Sequence, residues 1–230
     1  MRSGENLHAM TATTANTYKP PDVKPIAIHY VDKHLAIVEK PAGLLSVPGR
    51  GPEKVDCLMT RVQIPLPDAL TVHRLDMETS GLMIVAMTKD AQRRLSKCFE
   101  ERKITKSYEA VVHREIDEAS GTIDLPLRAD WPRRPRQMVD RQQGKSAITH
   151  WKRVSVSSGK SRLHLRPITG RSHQLRVHLN TIGHPILGDT LYGCDSSRTA
   201  SLRLMLHASK LFFHHPFTAK PIRVVSASPF

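Results

Sequence analysis

Val72-His73-Arg74-Leu75-Asp76-Met77-Glu78-Thr79-Ser80-Gly81 runs directly into Leu82-Met83-Ile84-Val85-Ala86. The second part is a short, unbroken apolar run rich in branched residues, the pattern of a strand buried on both faces. The first part sets an arginine and an aspartate against that strand, followed by a Thr-Ser-Gly turn. A charge beside a buried strand is costly unless something pairs with it or uses it. Asp76 is the residue to explain.

Working outward, residues 1–24 are polar, with Thr/Ala repetition and a Pro20-Pro21 pair, and read as a flexible tail. Strands are expected over 26–31 and 35–39, joined by Asp32-Lys33-His34. Leu44-Leu45-Ser46-Val47-Pro48-Gly49 is an apolar loop that either packs under the next helix or lines a cleft, and the cleft is the expectation. A short helix over 56–64 is stopped by Pro65 and Pro67. Beyond the opening stretch, Thr88 caps a helix over 89–104 whose packing face is Ala91, Leu95, Cys98, Phe99 and the stem of Arg102. A strand over 108–113 and a β-rich excursion over 121–158 follow, then a half-buried strand over 162–167. Thr169-Gly170-Arg171 turns the chain into a helix over 172–182, with Leu175, Leu179 and Ile182 on its buried face. Arg176 lies about 100° round from Leu175, able to reach a neighbouring cleft. A last strand over 202–213 closes one domain spanning 25–230.

The chain has 230 residues, 39% hydrophobic and 24% charged, as in a soluble globular protein. No apolar stretch is long enough to span a bilayer and no signal core is present, so the cytoplasm is expected, with no membrane partner. The net charge is +14. Between Arg128 and Arg176 there are 13 Lys/Arg against two acids, a local charge of 13 − 2 = +11. Such a band is the footprint of a nucleic-acid binder. Three scattered cysteines form no Cys-x-x-Cys pair, and the thirteen histidines form no His-Glu-x-x-His arrangement, so neither a disulfide framework nor a metal site is expected.

A lone ionised aspartate can serve as a covalent nucleophile toward a sugar or an electrophilic base, given a cationic neighbour such as Arg74 or Arg176. Glu78, two positions on, could supply a second carboxylate but is expected to be solvated. On residue type alone, a structural salt bridge or a turn cap is the favoured account of Asp76. Arg74 is open between a phosphate contact and a catalytic role, His73 reads as a hydrogen-bonded structural histidine, and Tyr108 as packing. Gly170-Arg171-Ser172-His173 at a helix start could hold phosphate on free N–H groups.

His73-Arg74-Leu75-Asp76 with Thr79-Ser80-Gly81 closely resembles the signature of the RluA-type pseudouridine synthases. The resemblance extends to Lys40-Pro41-Ala42-Gly43-Leu44-Leu45, to Lys106-Ser107-Tyr108, to 167–178 around Gly170-Arg171-Ser172-His173-Gln174-Leu175-Arg176, and to Gly183-His184-Pro185-Ile186-Leu187-Gly188-Asp189. It implies an α+β pseudouridine synthase catalytic domain, a mixed, largely antiparallel central sheet with flanking helices and a cleft. It implies that Asp76 is the catalytic aspartate, that Tyr108 stacks on the target uracil and assists a proton transfer, and that Arg176 pairs with Asp76. Arg74 would stabilise the flipped-out nucleotide, with His73, Arg133, Arg134, Arg136 and Arg171 as further RNA contacts. The reaction is an isomerisation, so no metal and no cofactor is expected. Asp130-Trp131-Pro132-Arg133-Arg134-Pro135 and the short N-terminus resemble the branch acting on the tRNA anticodon stem-loop and a 23S rRNA stem-loop. That implies RNA as the partner, a monomer, and no separate S4-type domain. Attack on C1′, attack on the ring and support of elimination at the sugar all stay open for Asp76. A non-catalytic RNA-binding or ribosome-assembly module and a base-releasing N-glycosidase are the rival readings.

Overall fold

In the computed structural model, which describes residues 18–23 and 25–230, the opening stretch becomes the centre of one large sheet. The elements run β1 (Ile28–Val31), β2 (Leu35–Lys40), α1 (Leu58–Val62), β3 (Leu70–Thr71), β4 (Ser80–Ala86), α2 (Lys89–Glu100), β5 (Thr105–His113) and β6 (Ser120–Asp124). They continue with β7 (Leu127–Ala129), β8 (Gln137–Val139), β9 (Ile148–Ser157), β10 (Lys160–Pro167), α3 (Gln174–Thr181), α4 (Asp195–Thr199), β11 (Leu206–His214) and β12 (Pro221–Val225). The main sheet is ordered β1-β2-β4-β11-β5-β10-β9-β6, with β3 added to β4 and β12 to β11. All its pairings are antiparallel except β4 with β11, so the α+β class and mixed, largely antiparallel sheet are as the resemblance implied. Strands β7 and β8 form a separate hairpin.

Every residue of β4 is buried, as its unbroken apolar run predicts. Leu82, Ile84 and Ala86 pack with Ala91 and Leu95 of α2, while Met83 and Val85 face Leu58 and Val62 of α1. Full burial of each large side chain contributes about 1.5–3 kcal/mol. A further core cluster joins α3, through Leu175 and Leu179, to Ala110, Val112, Leu163 and Leu165 of β5 and β10. Tyr108 touches both this cluster and the one beneath α1. The two halves of the sheet meet where β4 runs parallel to β11, at Ser80–His207 and Gly81–Ala208. Gly81 has φ +114°, and a Cβ there would stand 2.4 Å from the Ala208 carbonyl oxygen. Only glycine permits that approach, which sets the join of the two halves a few residues after Asp76.

Several boundaries differ from expectation. Helix α2 ends at Glu100, and Arg102 takes a left-handed conformation (φ 57°) outside it. Arg102 is therefore an exposed residue on the rim of a cleft rather than a packing stem. Helix α3 starts only at Gln174, because His173 is itself left-handed (φ 52°). The last expected strand begins at Leu206, Leu202 being fully exposed, and β12 follows it. The Leu44–Val47 loop packs under α1, with Leu44 fully buried against Leu58, and does not line the cleft. Of the expected tail, residues 1–17 and 24 lie outside the described residues. Tyr18, by contrast, donates to the Asp56 carbonyl (2.9 Å) and accepts from the Leu45 N–H (3.0 Å), so that part is docked on the domain. Among the described residues no helix is long and apolar enough to cross a membrane.

Candidate active site

A cleft of about 590 Å³ opens at the junction of the two halves, between the Asp76 loop and the start of α3. That size suits a small-molecule moiety such as a nucleotide. Phe99, Ile104, Tyr108 and Leu206 make its apolar wall, and Arg74, Lys106, Arg171 and Arg176 are among its cations. Asp76 sits on the cleft with its side chain 25% exposed. Glu78 does not line the cleft; the second carboxylate residue on its lining is Glu100, at the end of α2.

The Asp76 loop is pinned from several directions. Lys40, wholly buried, donates from Nζ to the carbonyls of Met77 (2.7 Å), Leu44 (2.7 Å) and Pro41 (2.9 Å). Burial pulls its pKa down to about 7, with Glu78 and Asp76 pulling the other way. Three carbonyl acceptors nevertheless call for three N–H donors, which only the ammonium form has. Ser46 Oγ donates to the Leu75 carbonyl (2.7 Å) and accepts from the Leu75 N–H (3.1 Å). At the far end, Arg203 donates to Ser80 Oγ (2.5 Å), which contacts His207 Nδ1 (2.8 Å). His207 Nε2 meets Ser226 Oγ (3.0 Å), which donates to Glu39 (2.9 Å). Donors and acceptors match in one direction along this chain, from guanidinium to carboxylate through a neutral histidine, so every group in it is satisfied.

Two N–H-bearing groups flank the Asp76 carboxylate. Arg176 Nη1 lies 3.8 Å from Oδ2, and His173 Nε2 lies 3.9 Å from Oδ1. Both are too far for a direct hydrogen bond, so the Arg176 charge and the His173 ring flank Asp76 without occupying its lone pairs. Arg176 is 3% exposed, and its firm partner is Asp189, which accepts from Nε (2.8 Å) and Nη2 (2.7 Å). Asp189 also accepts the backbone N–H of Leu191 (2.9 Å) and Tyr192 (3.0 Å). Burial works against the Arg176 cation, but the bonds and charge of Asp189, with Asp76 behind it, raise its pKa further. The expected Arg176–Asp76 pairing is present as a looser contact beside this tighter one.

Tyr108 lines the cleft, and burial, with Asp76 adding to it, pushes its phenol well above the ordinary range. It is protonated at neutral pH, so it offers the cleft a ring and an O–H donor and not a phenolate base. His73 also lines the cleft, but its Nε2 accepts the Ile84 N–H (2.9 Å) and its ring lies 4.4 Å from that of Phe99. Burial, with Lys106 assisting, lowers its pKa to about 3. It thus stands as a neutral wall residue whose Nε2 is spent on the fold, unlike a cationic phosphate contact. Arg74 and Arg171 are exposed on the cleft, Arg171 donating to the Ser146 carbonyl (3.0 Å). Arg133, Arg134 and Arg136 lie apart from it, on the turn joining β7 and β8. There Arg133 pairs with Asp130 (2.7 Å), and Arg134 stacks 3.0 Å over the ring of Trp131, which is 66% exposed. Sequence reasoning used Trp131 as part of the resembling stretch 130–135 and gave it no role of its own. It also missed Asp189, Tyr192 and His207, whose roles depend on partners far away in the chain.

A family model described as RNA pseudouridylate synthase matches residues 34–181. The chain belongs to the RNA pseudouridylate synthase family. The dual-specificity RNA pseudouridine synthase RluA of Yersinia pestis is 51% identical over 84% of this synthase and 94% of its own length. The protein of the same name from Escherichia coli strain K12 is 49% identical over 86% and 91%. Among solved structures, human RNA pseudouridylate synthase domain containing 1 superposes with a TM-score of 0.76 at 30% identity, covering 92% of this synthase and 87% of that chain. Human RNA pseudouridylate synthase domain containing 4 gives 0.70 at 26% identity, over 88% of each. The family match and the bacterial relatives make the synthase an RNA isomerase, and the superpositions show that its fold is shared with the solved structures.

Proposed function

We propose that this RNA pseudouridine synthase isomerises uridines in stem-loops of tRNA, the anticodon loop among them, and of 23S rRNA, with Asp76 as its catalytic carboxylate. The observation that carries the role of Asp76 is a carboxylate on the cleft with free lone pairs, flanked on two sides. Isomerisation breaks the N1–C1′ bond and joins C5 to C1′; C5 loses a proton and N1 gains one, so no atom is supplied from outside. Whether a carboxylate attacks or supports elimination, its oxygens must be uncovered, as those of Asp76 are. Tyr108 offers its ring to the uracil, and Arg176 holds the carboxylate. The base reaches the cleft by flipping out of its loop, which costs a few kcal/mol and is offset by phosphate contacts. The names of the bacterial relatives support two classes of RNA substrate. We infer a monomer working in the cytoplasm, where both RNAs are found.

Arg74 and Arg171 would meet the phosphates beside the flipped nucleotide, and Arg133, Arg134 and Arg136 the stem or loop further out. An exposed tryptophan under an arginine is a platform on which unpaired bases stack. Replacing all three hairpin arginines with serine is expected to reduce the salt slope of RNA binding by about 0.7–0.9 for each phosphate that the hairpin no longer neutralises. Filter binding from low to physiological salt measures it, and an unchanged slope would remove these residues from the interface.

Product analysis tests the function itself. Carbodiimide mapping of tRNA and 23S rRNA after incubation should find pseudouridine, and mass spectrometry should find fragment masses unchanged before labelling. Free uracil with abasic sites would make the protein an N-glycosidase instead. Binding without product would leave it an RNA-binding module.

A further inference from the structure

Tyr192 stands where the β7–β8 hairpin, the start of α3 and the Asp189 loop meet. Its ring packs with Val139 of the hairpin and Val177 of α3, and the guanidinium carbons of Arg176 and Arg136 lie 5.3 Å and 5.7 Å from the ring centre. Its hydroxyl accepts the Gln137 N–H at 2.7 Å and lies 2.7 Å from His173 Nδ1. Burial pushes the phenol up to about 12, so it keeps its proton at neutral pH. With Gln137 already donating to the oxygen, that proton is free to go to Nδ1. The single proton of a neutral His173 then sits on Nε2, the nitrogen 3.9 Å from Asp76 Oδ1. His173 is held toward neutrality by burial, opposed by Asp76 and assisted by Arg176. In the other tautomer, Nε2 would turn a lone pair toward a carboxylate, which is repulsive. A ring nitrogen's tautomer is set by the bond its partner nitrogen makes, and the wrong one disables a site whose geometry is otherwise intact.

We propose that Tyr192 is a positioning residue: its hydroxyl fixes His173 as the Nε2–H tautomer facing Asp76 and ties that histidine to the backbone of the arginine-bearing hairpin. This rests on Asp76 being the catalytic carboxylate.

Tyr192→Phe removes one oxygen and keeps the ring, so it is the variant of choice. In single-turnover reactions with saturating enzyme, the rate of pseudouridine formation should fall on the order of 10-fold, with the RNA Kd within about twofold. If Tyr192 acts through His173, the double variant with His173→Ala should be no slower than His173→Ala alone, within about twofold. Should His173→Ala fail to fold, His173→Gln replaces it. Nitrogen-15 spectra of the His173 ring should show one tautomer in the wild-type chain and a mixture in Tyr192→Phe. An unchanged rate, a loss confined to Kd, multiplicative effects in the double variant, or an unaltered ring spectrum would each overturn the proposal. Asp76→Asn run alongside separates the two readings. If it retains wild-type activity the catalytic assignment fails, whereas the ring spectrum still reports on Tyr192.

Discussion

Asp76→Asn should leave a folded protein that binds RNA and forms no pseudouridine, a loss on the order of 10⁴-fold or more in single-turnover rate. The substitution changes almost nothing in volume, and the loop around it is held by Lys40, Ser46 and Ser80 through groups it does not touch. Arg176 keeps its two bonds to Asp189, so no cation is stranded. The stability cost should stay below about 1 kcal/mol, as for other partly exposed charges at long range. RNA binding should be unchanged or slightly tighter, because a negative charge leaves a cleft that receives a polyanion. What disappears is the unoccupied anionic oxygen, which an amide cannot replace as nucleophile or as support for a developing positive charge at the sugar. Rate, denaturant midpoint and RNA Kd measured together check all three parts. Pseudouridine formed at more than a hundredth of the wild-type rate would remove Asp76 from the chemistry.

The parts of the fold readable from sequence are those whose burial is written in local pattern. β4 announces itself because a strand covered on both faces has no polar alternation, and α2 because Thr88 caps it, accepting the Ala91 N–H at 3.1 Å. The illegible boundaries share one cause. α2 ends and α3 begins at left-handed turns made by Arg102 and His173, where neither a glycine nor a proline marks the boundary in the sequence. β12 begins at Pro221 and alternates exposed with buried residues at a sheet edge, a pattern weak enough to pass for loop.

In the site, the residues alone singled out Asp76 and a cation such as Arg176 but favoured a salt bridge for Asp76 and packing for Tyr108; their catalytic roles came only as what the resemblance implies. The structure gives the two carboxylates beside Arg176 different partners. Asp189 is the carboxylate with four hydrogen bonds; Asp76 is the one left with room to react. No spacing rule connects Asp189 to Arg176, thirteen residues away, or Ser80 to His207, 127 residues away, because such pairs are made by the sheet and not by the segment.

Asp189→Asn is accordingly expected to damage both fold and activity, although Asp189 does not line the cleft. Asp189 is 1% exposed and neutralises an arginine 3% exposed, so losing its charge leaves a buried cation without its principal partner. Breaking a buried pair from one side costs about 3–5 kcal/mol. For a chain of this size that is a fall in Tm of roughly 10 °C. Arg176 would then have one anion left within reach, Asp76 at 3.8 Å, and electrostatics would draw the guanidinium onto it. A direct bond there would occupy the lone pairs that the reaction needs and turn the carboxylate from its place. Displacements of about 1 Å cost about 10²-fold in rate, and that is the loss expected at a temperature where the variant is fully folded. Arg176→Met with Asp189→Asn provides the contrast. Removing both charges should recover much of the stability, since no ion is left buried alone, while activity stays low because Asp76 has lost its cation. Stability and rate restored together would mean that Arg176 serves the fold alone. Stability restored without rate would mean that the buried pair exists to aim one N–H at Asp76.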